Sequence, residues 1–534
     1  MASSKAVRLP APPQLRVGVA AIGALFIAPF LYLLVRNLGD VSGFLDAVLT
    51  EGALSALART LVLGLCVSCA AAGIGTACAW VVSRTRIPGR SVWRILLPLP
   101  LVIPSFVGAF VFVAAFSRGG LFEAVLGPFG VEEIPTVRGF LGSFVVLTLF
   151  TYPYVYLPVV ARLSHLSPSF EESARLLGAR PIRSFTAVVL PQLKPAILSG
   201  GLFVFLYTIS DFGVVQLMRY ETLTRSIYTN RIFNREVSLA LSLELAVLAV
   251  GVVLFERAMA RRVSEAPPAR GGAPLRFELG RWQFPATALV VLTVIFSLGV
   301  PLVVLLFWIG RGVFSGAGFA LLSGSGSLIG PLLASTLAGL SAAVVVLGLT
   351  LPVAYLTQRF RSRIARPSDT LIVAGFAVPG LALALSLVYA TVNSGGVLTP
   401  LYQTFPLLVA AYVLHFGAHG LRAGQVALGA LPQRVDDAAK MLGARRWQRL
   451  VRIDLPVMRP DLLAGGGLVL LSVMKELPAS LLLAPAGFQT LAMKIWGATE
   501  SAYFADAAVF SLALLILSGI LTWVLVIRRG EVRT

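Results

Sequence analysis

Two carboxylates stand where an apolar chain can least easily hold them. Asp211 and Glu476 each fall inside a long hydrophobic stretch, where an ionised side chain costs about 2.5–3.5 kcal/mol on insertion scales and usually faces a bundle interior or a water-filled cavity. One helical turn earlier, on the same face, stand Tyr207 before Asp211 and Ser472 before Glu476. Two carboxylates with hydroxyls beside them make an oxygen-rich site suited to a hard cation. The plainer reading is a structural hydrogen bond or a pairing with a base, Lys475 being the candidate beside Glu476.

The two acids are 265 positions apart, and the same offset governs a longer stretch. Glu172, Ala174, Gly178, Leu190 and Pro191 are matched by Asp437, Ala439, Gly443, Leu455 and Pro456, with Ala438 where the first copy has Ser173. A gap-free repeat implies a duplicated architecture. In the first copy Ser169 lies three residues before Glu172, a capping-box spacing, and Pro168 also favours a helix start. Gly178 and Gly443 can take the left-handed conformation that ends a helix. The second copy has Leu431 and Pro432 in place of the Ser cap. Each copy is therefore expected to be a short helix, a turn and a second helix at the membrane surface. A merely amphipathic connector is the bland alternative, but unconstrained loops vary, and these two align without a gap over 172–191 and 437–456.

The elements that must position these residues are membrane spans. Of 534 residues 57% are hydrophobic and only 13% charged, with a mean hydropathy of +0.87, which excludes a soluble enzyme and indicates an integral membrane protein. A bilayer core needs about 20 mostly apolar residues per helix. Stretches of that kind are expected at 17–35, 57–82, 95–116, 140–161, 196–217 and 239–255, then at 286–309, 332–356, 371–390, 401–421, 462–483 and 507–527, six plus six. The fold class is thus an all-α membrane protein of twelve transmembrane helices in two tandem six-helix halves, 17–256 and 285–527. A tail at 1–16 precedes them, a linker at 257–284 joins them and a tail at 528–534 follows.

The formal net charge of +20 sits mainly between the spans, the pattern of loops held in the cytoplasm rather than of nucleic-acid binding. Arg84, Arg86, Arg90 and Arg94 in the first half, and Arg359, Arg361, Arg363 and Arg366 in the second, place those loops inside. Both termini and both repeated loops, 166–191 and 431–456, then fall on the cytoplasmic side. The fifth-to-sixth loop, with Arg219, Arg225, Arg231 and Arg235 on the expected outside, runs against the rule. Its residues could contact an incoming protein or simply anchor the interface. Asp211 lies about 22 Å along its helix from Ala196, at about 1.5 Å per residue, and so in the outer half of the membrane. Gly213 and Pro478, two residues after the acids, are expected to loosen the backbone there. Cys66, Cys69 and Cys78 share one span and read as packing residues. His415 and His419, four apart on one face, also read as packing.

The paired loops resemble the EAA loop of permease subunits in binding-protein-dependent ABC importers. In that family the loop docks into a cleft of the ATP-hydrolysing subunit and couples hydrolysis to transport. The departures, Ser173 where the family usually has Ala and Asp437 where it usually has Glu, are mild. The chain has no G-x-x-x-x-G-K-[ST] phosphate loop, so the resemblance implies a permease that is not itself an enzyme. ATP and Mg would reside on two partner ATPase subunits. Ser210 to Gly213, Lys475 to Leu483, Gly487-Phe488 and Thr490 to Ala492 look like segments of ferric-iron ABC importer permeases. That likeness implies ferric iron delivered by a periplasmic or lipid-anchored binding protein, in a bacterial inner membrane, with Asp211 and Glu476 as transient metal contacts along the path.

Thiamine permeases share the fused layout, which leaves thiamine or another small solute open. A secondary carrier of twelve spans can mimic a six-plus-six pattern, but it has no use for paired coupling loops. An ion channel fits less well, since no pore-loop filter is evident.

Overall fold

The computed structural model describes residues 9–10, 12–130, 137–166, 176, 178, 183, 185–262, 278–314, 327–431, 439, 441–443 and 445–523. Residues 1–8 and 11 of the first tail, the whole of the last tail, most of the linker, the Pro168 and Ser169 cap, and Glu172, Ala174, Asp437 and Ala438 lie outside them. The regular elements among the described residues are helical except for a two-residue parallel bridge pairing Leu9–Pro10 with Phe360–Arg361.

The expected count of twelve spans is not reached. Among the described residues nine helices are long and apolar enough to cross a membrane, or up to eleven if each of two bent pairs is one span. The bends are chemical in origin. The expected third span of each half breaks between Arg90–Val102 and Ser105–Ala115, at 93°, and between Ala365–Ala377 and Gly380–Val392, at 101°. Pro104 and Pro379 stand at these breaks, and the residues before them, Ile103 and Val378, are extended. A proline ring pushes its predecessor out of the helical region in this way. Most of the stretch 401–421 lies within one long helix, Phe405–Gly429, but His415, His419 and Arg422 dilute its apolar character.

Packing divides the chain into two compact units. One comprises Met1–Ala47, Arg231–Ala246 and Ala320–Thr534. Within it the first helix, Pro13–Leu38, lies against Ala365–Ala377, and Ser368 donates its hydroxyl to Val19 O at 3.3 Å. Phe26 lays its ring where any side chain on residue 417 would collide, so Gly417 is required for the approach. Asn37 Nδ2 donates to Leu33 O at 2.8 Å and to Leu239 O at 3.3 Å. Around them Ile329–Arg359, Phe405–Gly429 and Leu455–Met474 bury a core that includes Val346, Tyr412, Leu421 and Val469.

The other unit comprises Val48–Asn230 and Val247–Phe319. Its long helix Glu51–Arg84 starts where Thr50 Oγ1 accepts from Ala53 N, an N-cap worth about 1 kcal/mol. Helices Gln283–Val294 and Val300–Phe314 join this unit: Cys78 Sγ lies 3.8 Å from Thr293 Oγ1, and Trp308 Nε1 donates to Ala114 O at 3.2 Å. At the end of each second span an arginine reaches a carbonyl near the start of the repeated loop. Arg84 donates to Leu163 O at 3.3 Å in one unit, and Arg359 to Leu431 O at 3.4 Å in the other.

Candidate transport site and coupling surface

The helix carrying Asp211, Leu190–Ser210, stops one residue before the acid, and the helix carrying Glu476, Leu455–Met474, stops two residues before it. Both chains then resume as short helices, Gly213–Leu217 and Pro478–Leu483. Each carboxylate reaches back across its gap. Val214 N donates to Asp211 Oδ1 at 2.8 Å, and Ala479 N to Glu476 Oε1 at 3.4 Å. The backbone carbonyl of each acid is held by a hydroxyl: Thr224 donates to Asp211 O at 2.9 Å and Ser480 to Glu476 O at 2.6 Å. A side chain that takes up the first amides of a resumed helix makes such a gap tolerable inside a membrane, where unpaired backbone groups are costly.

Each acid also faces the bent third span of its own unit. Ser105 Oγ donates to Asp211 Oδ2 at 2.5 Å, from the first turn of Ser105–Ala115. In the second half the matching residue is Gly380, and Glu476 Oε1 lies 2.7 Å from where a Cβ on residue 380 would sit. His415 Nε2 lies 3.5 Å from the same point. Neither Ser105 nor Gly380 is a sequence-derived candidate. Their signal was present in the proline just before each, but the contact spans 106 residues in the first half and nothing local announces it.

Ser472 donates back to Leu468 O at 2.8 Å, and Tyr207 sets its ring against Tyr154 at 5.8 Å. Asp211 is 8% exposed. Asp211 and Glu476 belong to different compact units, and each is described in its own.

Where both repeated loops are described, their backbones agree at matched positions. Gly178 and Gly443 take φ of 81° and 75°, a left-handed conformation in which a side chain is strained. Farther on, Phe185–Val189 and Leu450–Asp454 are π-helical turns, each running straight into a helix that opens with Leu-Pro. The Pro191 and Pro456 rings would clash with carbonyls of a regular turn, and the wider turn relieves this. Ala439 is buried. Leu176 and its repeat mate Met441 are 89% and 90% exposed, and Leu442 is 87% exposed. These three were missed in the sequence. An apolar pair kept at the same offset inside a charged segment was the available sign.

Residues 71–265 and 348–529 each match the family described as binding-protein-dependent transport system inner membrane component. The chain belongs to that family. It is a permease of an ABC importer, a multi-pass inner-membrane protein whose two halves repeat one unit, and its work is transport rather than covalent catalysis. The permease is 29% identical over 520 residues to the Fe(3+)-transport system permease protein FbpB 2 of Haemophilus influenzae, covering 95% of this chain and 97% of that one. It is 25% identical over 472 residues to a probable ABC transporter permease protein, y4fN, of Sinorhizobium fredii, covering 82% of each. A sulfate transport system permease protein, CysT, of Salmonella typhimurium is 32% identical over 184 residues, or 34% of this chain and 65% of that one.

Proposed function

We propose that the permease carries ferric iron across a bacterial inner membrane as the translocating subunit of an ATP-driven importer. The observation that supports this most is its match to an Fe(3+)-transport permease over 95% of its own length and 97% of the relative's, whereas the sulfate permease CysT of Salmonella typhimurium matches 34% of this chain. The chemistry at the helix breaks agrees. Carboxylates attract a hard cation and repel an anion such as sulfate.

In this reading twelve spans form two six-helix halves with both termini in the cytoplasm. The bent third spans and Phe405–Gly429 count as spans. Asp211 and Glu476 line the path as transient contacts, with Tyr207 and Ser472 a turn below. The loops 166–191 and 431–456 dock two ATPase subunits, which carry ATP and Mg. Leu176, Met441 and Leu442 are apolar knobs, exposed at the loops and suited to a cleft on those subunits. A periplasmic or lipid-anchored binding protein delivers the iron. ATP-driven closure of the ATPases moves the loops, and the fifth-span helices that begin at Pro191 and Pro456 carry that movement to the acids.

The test is reconstitution with the ATPase and binding protein in liposomes, measuring ATP-dependent uptake of ferric iron against thiamine and sulfate. Uptake of either other solute in place of iron sinks the assignment. Replacing both acids, Asp211→Asn with Glu476→Gln, should abolish iron uptake while the ATPase stays assembled.

A further inference from the structure

The loop that runs against the charge rule carries Arg219, Arg225, Arg231 and Arg235, and their surroundings sort them. Arg225 is paired with Glu221 at 2.7 Å. The charge of Arg231 acts on Glu500 and Tyr389, and that of Arg235 on Tyr389. Arg219 has a different neighbour. It is exposed, and its charge acts on a second exposed arginine, Arg138. Among the described residues neither of these two forms an ion pair.

The backbone holds the two like charges together. Gly139 N donates to Met218 O at 2.7 Å, which ties the residue after Arg138 to the residue before Arg219. Tyr220, next along, sets its ring against Phe140 with centroids 5.8 Å apart, and the charge of exposed Arg59 acts on the same phenol. Arg219 itself sits at φ 54°, in the left-handed region where a side chain is strained and glycine is not. An arginine kept there beside another arginine is unfavourable twice, in conformation and in repulsion, and such strain collects at functional positions. At the 265-residue offset the mates of Arg138 and Arg219 are Gln403 and Ala484, so the second half has no such pair.

We infer that Arg138 and Arg219, with Arg59 beside them, form a docking face for an acidic patch on the binding protein, carried by the first half alone. The face rests on the reading that these helix ends look outward and that a binding protein delivers the substrate there. Arg59 lies near the start of Glu51–Arg84, Arg138 just before Gly139–Thr151 and Arg219 just after Gly213–Leu217. Exposed guanidiniums spread over separate elements offer a surface, which suits the face of a protein, and arginine is enriched at such interfaces. A carboxylate arriving from the partner relieves the repulsion between Arg138 and Arg219 and accepts a charge-assisted bond from each. Complementary charge steers encounter and fixes orientation, and uncharged mates in the second half favour one way round. The face is joined to Asp211 by Gly213–Leu217, whose Val214 N donates to the carboxylate at 2.8 Å.

The experiment uses the full transporter with its ATPase in nanodiscs of phosphatidylcholine alone, and reads ATP hydrolysis against the concentration of iron-loaded binding protein. Arg138→Gln with Arg219→Gln should raise the half-maximal concentration about 2- to 30-fold, the combined effect of two exposed charge contacts. Basal hydrolysis should stay the same. Added salt should weaken docking of the parent protein more than that of the double variant. Arg219→Gly removes one charge and relaxes the left-handed turn, so the melting temperature should hold or rise while docking weakens. An arginine with a purely structural role would change stability and leave docking alone. An unchanged half-maximal concentration in both variants overturns the face. So does a difference from the parent that appears only when phosphatidylglycerol is added to the discs, because the arginines then hold lipid phosphate. If iron-loaded binding protein fails to stimulate the parent, the reading of the partner falls and the face with it; if it stimulates parent and variants alike, the face alone falls.

Discussion

Ser105 donates its hydroxyl to Asp211 Oδ2, and Gly380, in the matching place, yields its side-chain volume to Glu476 Oε1. The first half pairs a short acid with a side chain that reaches toward it, and the second pairs a longer acid with none. The acid gains a methylene where its partner loses a hydroxymethyl group.

Ser105→Ala should remove a hydrogen bond to a buried carboxylate and destabilise the permease by about 1.5–3 kcal/mol. Thermal unfolding in detergent reads this directly. A melting temperature equal to that of the parent protein would show that the bond contributes nothing.

Gly380→Ala should behave in the opposite way. The new Cβ meets the far end of a flexible side chain, Glu476 Oε1 at 2.7 Å, so stability should change little while the carboxylate is displaced. Iron uptake should fall several-fold at an unaltered melting temperature. Loss of stability with intact uptake would contradict the assignment of Glu476 to the path.

Leu176→Asp, or Met441→Asp together with Leu442→Asp, should leave the permease folded, since these side chains are almost fully exposed. Burying one such side chain in a partner is worth about 1.5–3 kcal/mol. Recovery of the ATPase on co-purification should therefore drop about tenfold or more. Undiminished recovery would mean that the exposed residues face lipid and not a subunit.

Gly178→Ala and Gly443→Ala place a side chain in the left-handed region, at φ of 81° and 75°, at a cost of about 1–2 kcal/mol each. Nothing lies within reach of the added Cβ at either position, so the cost is conformational and local. Each should weaken coupling, seen as fewer ions moved per ATP, and the double variant should be worse than either alone. Normal stoichiometry in the double variant would show that the turn is dispensable.

Repetition made much of this legible in the sequence. The 265-residue offset located the loops, the helices that begin at Pro191 and Pro456, and the acids at their far ends, because covalent spacing is preserved when a unit is duplicated. Apolar runs placed most spans well, but length and hydropathy are blind to geometry. The 93° and 101° bends needed Pro104 and Pro379 to be weighed as breaks inside otherwise convincing stretches. The partners of the acids were out of reach for another reason. Ser105 meets Asp211 through a tertiary contact that spans 106 residues, and Gly380 meets Glu476 in the same way. The exposed Leu176 and Met441 were hidden because hydrophobicity in a membrane protein looks like burial.

The first helix of the chain has a consequence for its biosynthesis. Val19 receives its hydrogen bond from Ser368, 349 residues later. At synthesis rates of about 5–20 residues per second, roughly 17–70 seconds separate the emergence of the two partners from the ribosome. Throughout that interval Pro13–Leu38 must wait in the bilayer with lipid where Phe26 will later meet Gly417. Pro13–Leu38 is thus placed well after it is made, and a chain stalled before Ser368 would lack that helix's packing partners.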